Sequence, residues 1–172
     1  DPNKNGVWGM LDEYLKKKFK YQDENYLTIT AAFVDSGNGQ HTDAVYSFCK
    51  NKEDRWIYAI KGRGGLGVPL VTGPTKPKGK NISLFTVGDD TGKSQILSRL
   101  KIKEPGENYC HFPNNLEKGY TDEYYKGLLS EKKIVKTVKG RPVIEWKVIY
   151  KRNEPLDCRK YALAALDILP VN

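Results

Sequence analysis

Two histidines and three cysteines are few for a chain of 172 residues, and they are not spaced as metal-binding pairs. Cys49, Cys110 and Cys158 lie far apart with no CxxC between them. An odd number argues against a disulfide framework, so a reducing compartment is expected. Cys110-His111 invites a zinc reading, but a second ligand pair at finger spacing is missing. No apolar run approaches the length of a membrane span, so no membrane partner is expected. The opening residues, DPNKNGVWGMLDEYL, show neither an initiator methionine nor a signal-peptide pattern, which leads us to expect a piece of a longer polypeptide. Internal repeats, low-complexity tracts and an obvious linker are also missing. A single domain over residues 1–172 is therefore expected, with 1–25 as a helical lead-in.

What is present begins with charge. Twenty-nine lysines and arginines against 21 acids leave a formal charge of +8. Such a surplus favours a polyanion by attraction and counterion release, with nucleic acid the first candidate, although a lysine-rich surface can serve solubility alone. Hydrophobic residues make up 38% of the chain and aromatics 11%, which places it among folded proteins.

Periodicity divides the chain into elements. Trp8, Leu11, Leu15 and Phe19 recur at helical spacing within Gly6 to Phe19. A β-rich stretch from Tyr26 to Val34 ends at Asp35, before the turn-forming Ser36-Gly37-Asn38-Gly39. Two more strands are expected at 43–49 (DAVYSFC) and 55–60 (RWIYAI), completing an antiparallel meander. Residues 61–80, rich in Gly, Pro and Lys, read as an irregular basic loop. A fourth strand at 81–87 runs through Gly88-Asp89-Asp90 into a helix from Thr91 to Leu100. A short helix at 120–129 with Thr121 as N-cap, a hairpin of 132–138 and 143–150, and a final helix after Asn153-Glu154-Pro155 complete the order.

Three carboxylates occupy comparable places: Asp35 at the end of the first strand, Asp90 at the end of the fourth, and Asp157 in the first turn of the last helix. Each also has a local explanation as a turn or capping residue, since acids suit a helix N-terminus. Gathered together, however, they would repel without cations between them. Oxygen-only ligation suits Mg²⁺ or Mn²⁺, and two such ions are the apparatus of in-line phosphodiester hydrolysis. Gly88 to Ser94 is similar to the end of a phosphate-binding loop, but only three residues separate its glycines where four are required. His41 and His111 read as loop or structural residues and stay outside the site. Basic flanks for DNA are expected in the loop, through Arg63, Lys76, Lys78 and Lys80, and on the hairpin, through Lys132, Lys133, Lys136, Lys139 and Arg141.

The expected order of strands, helices and acids matches the ribonuclease H fold, an α/β class with a central mixed sheet flanked by helices. The segments FVDSGNGQHTDAVYSF, WIYAIKGRGG, TVGDDTGKSQILSRL, CHFP and NEPLDCRKYALAAL, in that order over most of the chain, resemble the nuclease domain of GpA-like phage terminase large subunits. That resemblance implies metal-dependent cutting of double-stranded concatemeric DNA during genome packaging in the host cytoplasm. It further implies a motor ATPase elsewhere on the polypeptide, with a terminase small subunit and a portal or procapsid as partners. By the same likeness Asp35, Asp90 and Asp157 are the three acids, Asp89 could share or take the role of Asp90, and Glu154 is a candidate auxiliary ligand. Lys61 and Lys93 resemble recurrent basic positions for phosphate contact or for orienting water. A nucleic-acid-binding module without turnover and another ribonuclease-H-like enzyme, such as a resolvase or recombinase, are the alternatives.

Overall fold

The structure is a computed structural model that describes residues 6–21 and 24–170; residues 1–5 and 22–23 of the expected lead-in lie outside them. The chain forms two compact units. The first comprises Asp1–Lys61, Gly73–Phe85 and Leu169–Asn172, and the second Gly62–Thr72 and Thr86–Ile168.

The chain opens with α1 (Val7–Leu15), shorter than the helix expected to Phe19 because residues 18–20 leave it to form β1 (Lys18–Lys20). β1 pairs antiparallel with β2 (Tyr26–Thr28), setting Phe19 opposite Leu27. The single strand expected from 26 to 34 is thus two, because β3 (Ala32–Asp35) turns to a different partner, β4 (Ile57–Arg63). β3 and β4 are parallel, with Ala32 opposite Ile57 and Asp35 opposite Ile60. Parallel neighbours need a crossover, and residues 43–49 supply it as a helix, α2 (Thr42–Cys49), where a strand was expected. The antiparallel meander is therefore replaced by a β-α-β unit.

The reason lies in the spacing of the apolar residues. Val45, Tyr46, Phe48 and Cys49 are buried while Ser47 is exposed, a pattern that closes one face of a helix and that strand alternation would split. That face meets Trp8, Leu11 and Leu15 of α1 together with Ile57, Ala59 and Ile82, forming the core of the first unit. Trp8 and Phe48 stack with ring centroids 5.1 Å apart.

The region expected to be an irregular basic loop also contains regular structure: the end of β4 and a strand β5 (Val71–Thr75). β5 tolerates Pro74 because it is the outer strand of a four-stranded sheet, β3-β4-β6-β5, with β6 spanning Leu84–Gly88. Gly88 N donates to Leu70 O while Thr75 Oγ1 donates to Leu84 O, so β5 and β6 run in opposite directions and the sheet is mixed.

The second unit contains α3 (Asp89–Arg99), α4 (Asp122–Leu128), the hairpin β7 (Glu131–Val138) with β8 (Arg141–Val148), and α5 (Glu154–Asp167). Ile96 of α3, Leu128 of α4 and Leu156 of α5 form its buried core, flanked by Leu100, Phe112, Tyr124 and Leu163. Thr121 stands at the N-cap of α4 without a side-chain capping bond. The hairpin turns on Lys139 and Gly140 alone, both at positive φ (51° and 74°), the backbone of a tight two-residue turn.

Candidate functional site

The exit of β6 into α3 is set by a close approach. A Cβ on Gly88 would come within 2.2 Å of the Pro69 carbonyl oxygen, so a side chain there would force the backbones apart. Thr91 Oγ1 donates to Val68 O at 2.5 Å and secures the same corner. With the corner in place, Asp89 and Asp90 start α3, the end of a helix where a carboxylate is favoured.

These adjacent acids have separate partners. Asp90 Oδ2 accepts from Gly65 N at 2.7 Å, and its Oδ1 accepts from Trp146 Nε1 at 2.6 Å. Asp89 Oδ1 accepts from Lys160 Nζ at 2.5 Å, and the same ammonium reaches Asp157 Oδ1 at 2.8 Å. The Lys160 side chain, 2% exposed, descends from α5 past Gly92, where a Cβ would stand 2.6 Å from its Cγ. Burial alone would lower the lysine's pKa, but its hydrogen bonds to Asp157 and Asp89 and their charges outweigh it and hold the ammonium above its ordinary range.

From there a polar chain continues across the second unit. Asn153 Nδ2 donates to Asp157 Oδ2 at 3.0 Å and lies 3.5 Å from Glu131 Oε1. Glu131, itself buried, accepts from Lys93 Nζ at 2.8 Å, and that ammonium sits 5.5 Å from the Trp146 ring centre. Trp146 returns the chain to Asp90. Four carboxylates against two ammonium groups leave this network two negative charges in excess, an environment suited to further cations.

Of the acids singled out in the sequence, Asp89 and Asp157 are brought together around one point. Their hard oxygen donors are of the kind Mg²⁺ and Mn²⁺ accept, so two carboxylates fit a divalent ion in chemistry, with the Lys160 cation now between them. Among the described residues, no group of three or more His, Cys, Asp or Glu side chains is gathered closely enough to hold a metal ion. Asp35 belongs to the first unit, at the C-terminal end of β3, where its Oδ1 accepts from Gly37 N at 2.7 Å. Glu154 is exposed on the first turn of α5 and pairs with Arg152 at 3.5 Å.

Basic positions divide by setting. Lys61, Arg63, Lys76, Lys78, Lys139 and Arg141 are exposed. Lys80 reaches Asp43 at 2.7 Å and Lys136 pairs with Glu145. Lys93 is largely buried in its pair with Glu131, which removes it from the exposed set.

Sequence reasoning did not single out Lys160, Glu131, Asn153 or Trp146. Lys160 and Asn153 carried a local signal, three residues after and four before Asp157 on the same helix and its cap.

The family model described as "Terminase large subunit gpA, endonuclease domain" matches residues 1–172. The chain is 33% identical over 162 residues to the terminase large subunit of Escherichia phage lambda and 29% identical over 163 residues to that of Enterobacteria phage P21. Each alignment covers 92% of this chain and 25% of the relative, so the chain spans a quarter of the length of these curated relatives. No solved structure matches it.

Proposed function

The chain belongs to the endonuclease-domain family of gpA terminase large subunits, and from that premise we propose that it cleaves double-stranded DNA for genome packaging, as a ribonuclease-H-like nuclease using two divalent ions. The observation that carries this reading is the convergence of Asp89 and Asp157 on a single cationic point, from the start of α3 and the first turn of α5. Asp35, at the end of β3 in the first unit, matches the first acid by resemblance alone. Asp89 takes the role first considered for Asp90, because Asp89 shares the Lys160 ammonium with Asp157 whereas Asp90 accepts from Gly65 N and Trp146 Nε1.

Mg²⁺ or Mn²⁺ bound by these acids would supply Lewis-acid stabilisation of the charge that develops on the scissile phosphate and leaving oxygen. The chain's own residues prepare the place. Asn153 orients the Asp157 carboxylate by donating to Oδ2. Gly62 leaves room beside Asp89, where a Cβ would stand 2.8 Å from Oδ2. Exposed Lys61, Arg63, Lys76, Lys78, Lys139 and Arg141 supply contacts to the phosphate backbone, which position DNA without reading its sequence. An ATPase on the remainder of the polypeptide, a terminase small subunit and a portal or procapsid are the partners this role calls for.

The test is conversion of supercoiled plasmid to nicked and linear forms with Mn²⁺ or Mg²⁺, and its loss with a chelator. Asp157→Asn and Asp89→Asn are each expected to slow cutting by about 100-fold or more, equivalent to about 2.7 kcal/mol in the barrier. Asp90→Asn, which keeps an acceptor toward Gly65, is expected to cost less. Plasmid binding without cutting under any divalent ion would leave a nucleic-acid-binding module as the better description, and equal loss in all three variants would undo the assignment of Asp89 over Asp90.

A further inference from the structure

We propose that Lys160 is a tethered cation that competes with divalent ions for Asp89 and Asp157, so that the acidic centre binds such ions weakly by design of its own chain. This deepens the nuclease reading and rests on it.

The place for the lysine is purpose-built. Gly92 is the residue on α3 that lets its aliphatic stem pass, since a Cβ there would lie 2.6 Å from Lys160 Cγ and 3.2 Å from Cδ. The stem thereby delivers Nζ to Oδ1 of Asp89 and Oδ1 of Asp157, at 2.5 and 2.8 Å. Both oxygens of Asp157 already have a partner, Oδ2 accepting from Asn153 and Oδ1 from Lys160. An ion that takes Oδ1 must share it with the ammonium or drive it off, and at any oxygen of this pair a unit positive charge opposes it at close range.

The carboxylates themselves do not depend on the lysine for their positions. Asp89 is the first residue of α3, on a corner secured by Gly88 N to Leu70 O at 2.9 Å and by Thr91 to Val68 O. Asp157 is fixed through its backbone N–H, which donates to Asn153 O at 3.1 Å, and through the Asn153 side chain. Removing the ammonium therefore leaves two oriented carboxylates with their charge uncompensated, a stronger attractor for a divalent ion.

Titration calorimetry with Mn²⁺ alone, on the native chain and on Lys160→Gln, Lys160→Met and Lys160→Arg, tests this. The Gln and Met variants are expected to bind Mn²⁺ at least tenfold more tightly, and the Arg variant like the native chain. Native binding with no gain in Gln or Met would overturn the competition and leave the nuclease reading standing. Absence of Mn²⁺ binding in every protein would overturn both. Should the neutral variants fail to fold by circular dichroism, acetylation of the native protein decides. Lys160 is expected to be protected without metal and to become modified as Mn²⁺ saturates the protein, and unchanged protection at saturation would refute the proposal.

Discussion

At neutral pH, Asp12 on α1 accepts from Arg55 Nη1 at 2.7 Å and pairs with Lys16 at 2.6 Å. Burial pushes its carboxyl pKa up, but the hydrogen bonds from Lys16 and Arg55 and their charges prevail and hold it below the ordinary value of 3.8. A folded pKa below the unfolded one means stability that is present above the unfolded pKa and lost as pH falls through the folded value. Asp12→Asn is thus expected to lose about 1 kcal/mol at pH 7, with the gap to the native chain closing in strong acid. Urea denaturation at both pH values measures it, and a gap that persists in acid would exclude the ion pair as its cause. At the same scale, the sequence shows that two acids follow β6 but leaves open which of them meets Asp157. Consecutive helical residues point about 100° apart. That rotation sends Asp89 to Lys160 and Asp90 to Trp146, and the choice depends on how α3 is seated, a property of the packed unit.

Elements with strong local punctuation were legible. The proline-led start of α5 and the β6-to-α3 joint stand where turn chemistry and apolar spacing put them, while the turn expected over 139–142 closes at Lys139-Gly140, with Arg141 and Pro142 already in β8. Residues 43–49 misled because Val, Tyr, Phe and Cys favour strands, while burial on one helical face against α1 overrode that preference. The hairpin yields a prediction of its own. Its register places Lys132 directly opposite Lys147, and strand alternation puts Lys136 and Arg141 on the same face, with Glu145 as the accompanying acid. Like charges opposite one another cost stability, a cost offset when an anion lies across them. Replacing both Lys132 and Lys147 with alanine is expected to leave folding intact and weaken duplex DNA binding. The slope of log affinity against log salt should fall by nearly two, about 0.9 for each phosphate no longer neutralised. Fluorescence anisotropy over a salt series reads this, and an unchanged slope would remove the hairpin from the DNA surface.

Across the whole chain the surplus of +8 should make binding to duplex DNA electrostatic and largely independent of sequence. Raising salt from 50 to 200 mM is expected to weaken it by at least about 100-fold, the result of a handful of released counterions. Equal affinity at both salts, measured on a duplex of any sequence, would contradict that picture. Among the described residues no helix is long and apolar enough to cross a membrane, in keeping with the lack of long apolar runs. What the sequence determined by itself is what local order encodes: composition, charge, the punctuation of turns, acids at strand ends and helix starts, and the ordered segments that mark the family. Tertiary structure alone decided that 43–49 is a helix, that Asp89 rather than Asp90 shares a cation with Asp157, and that Lys160 is buried. Those outcomes rest on pairings such as Lys160 with Asp89, 71 residues apart, and Trp146 with Asp90, 56 apart. No short-range period records such meetings, because they exist only once separate elements have packed.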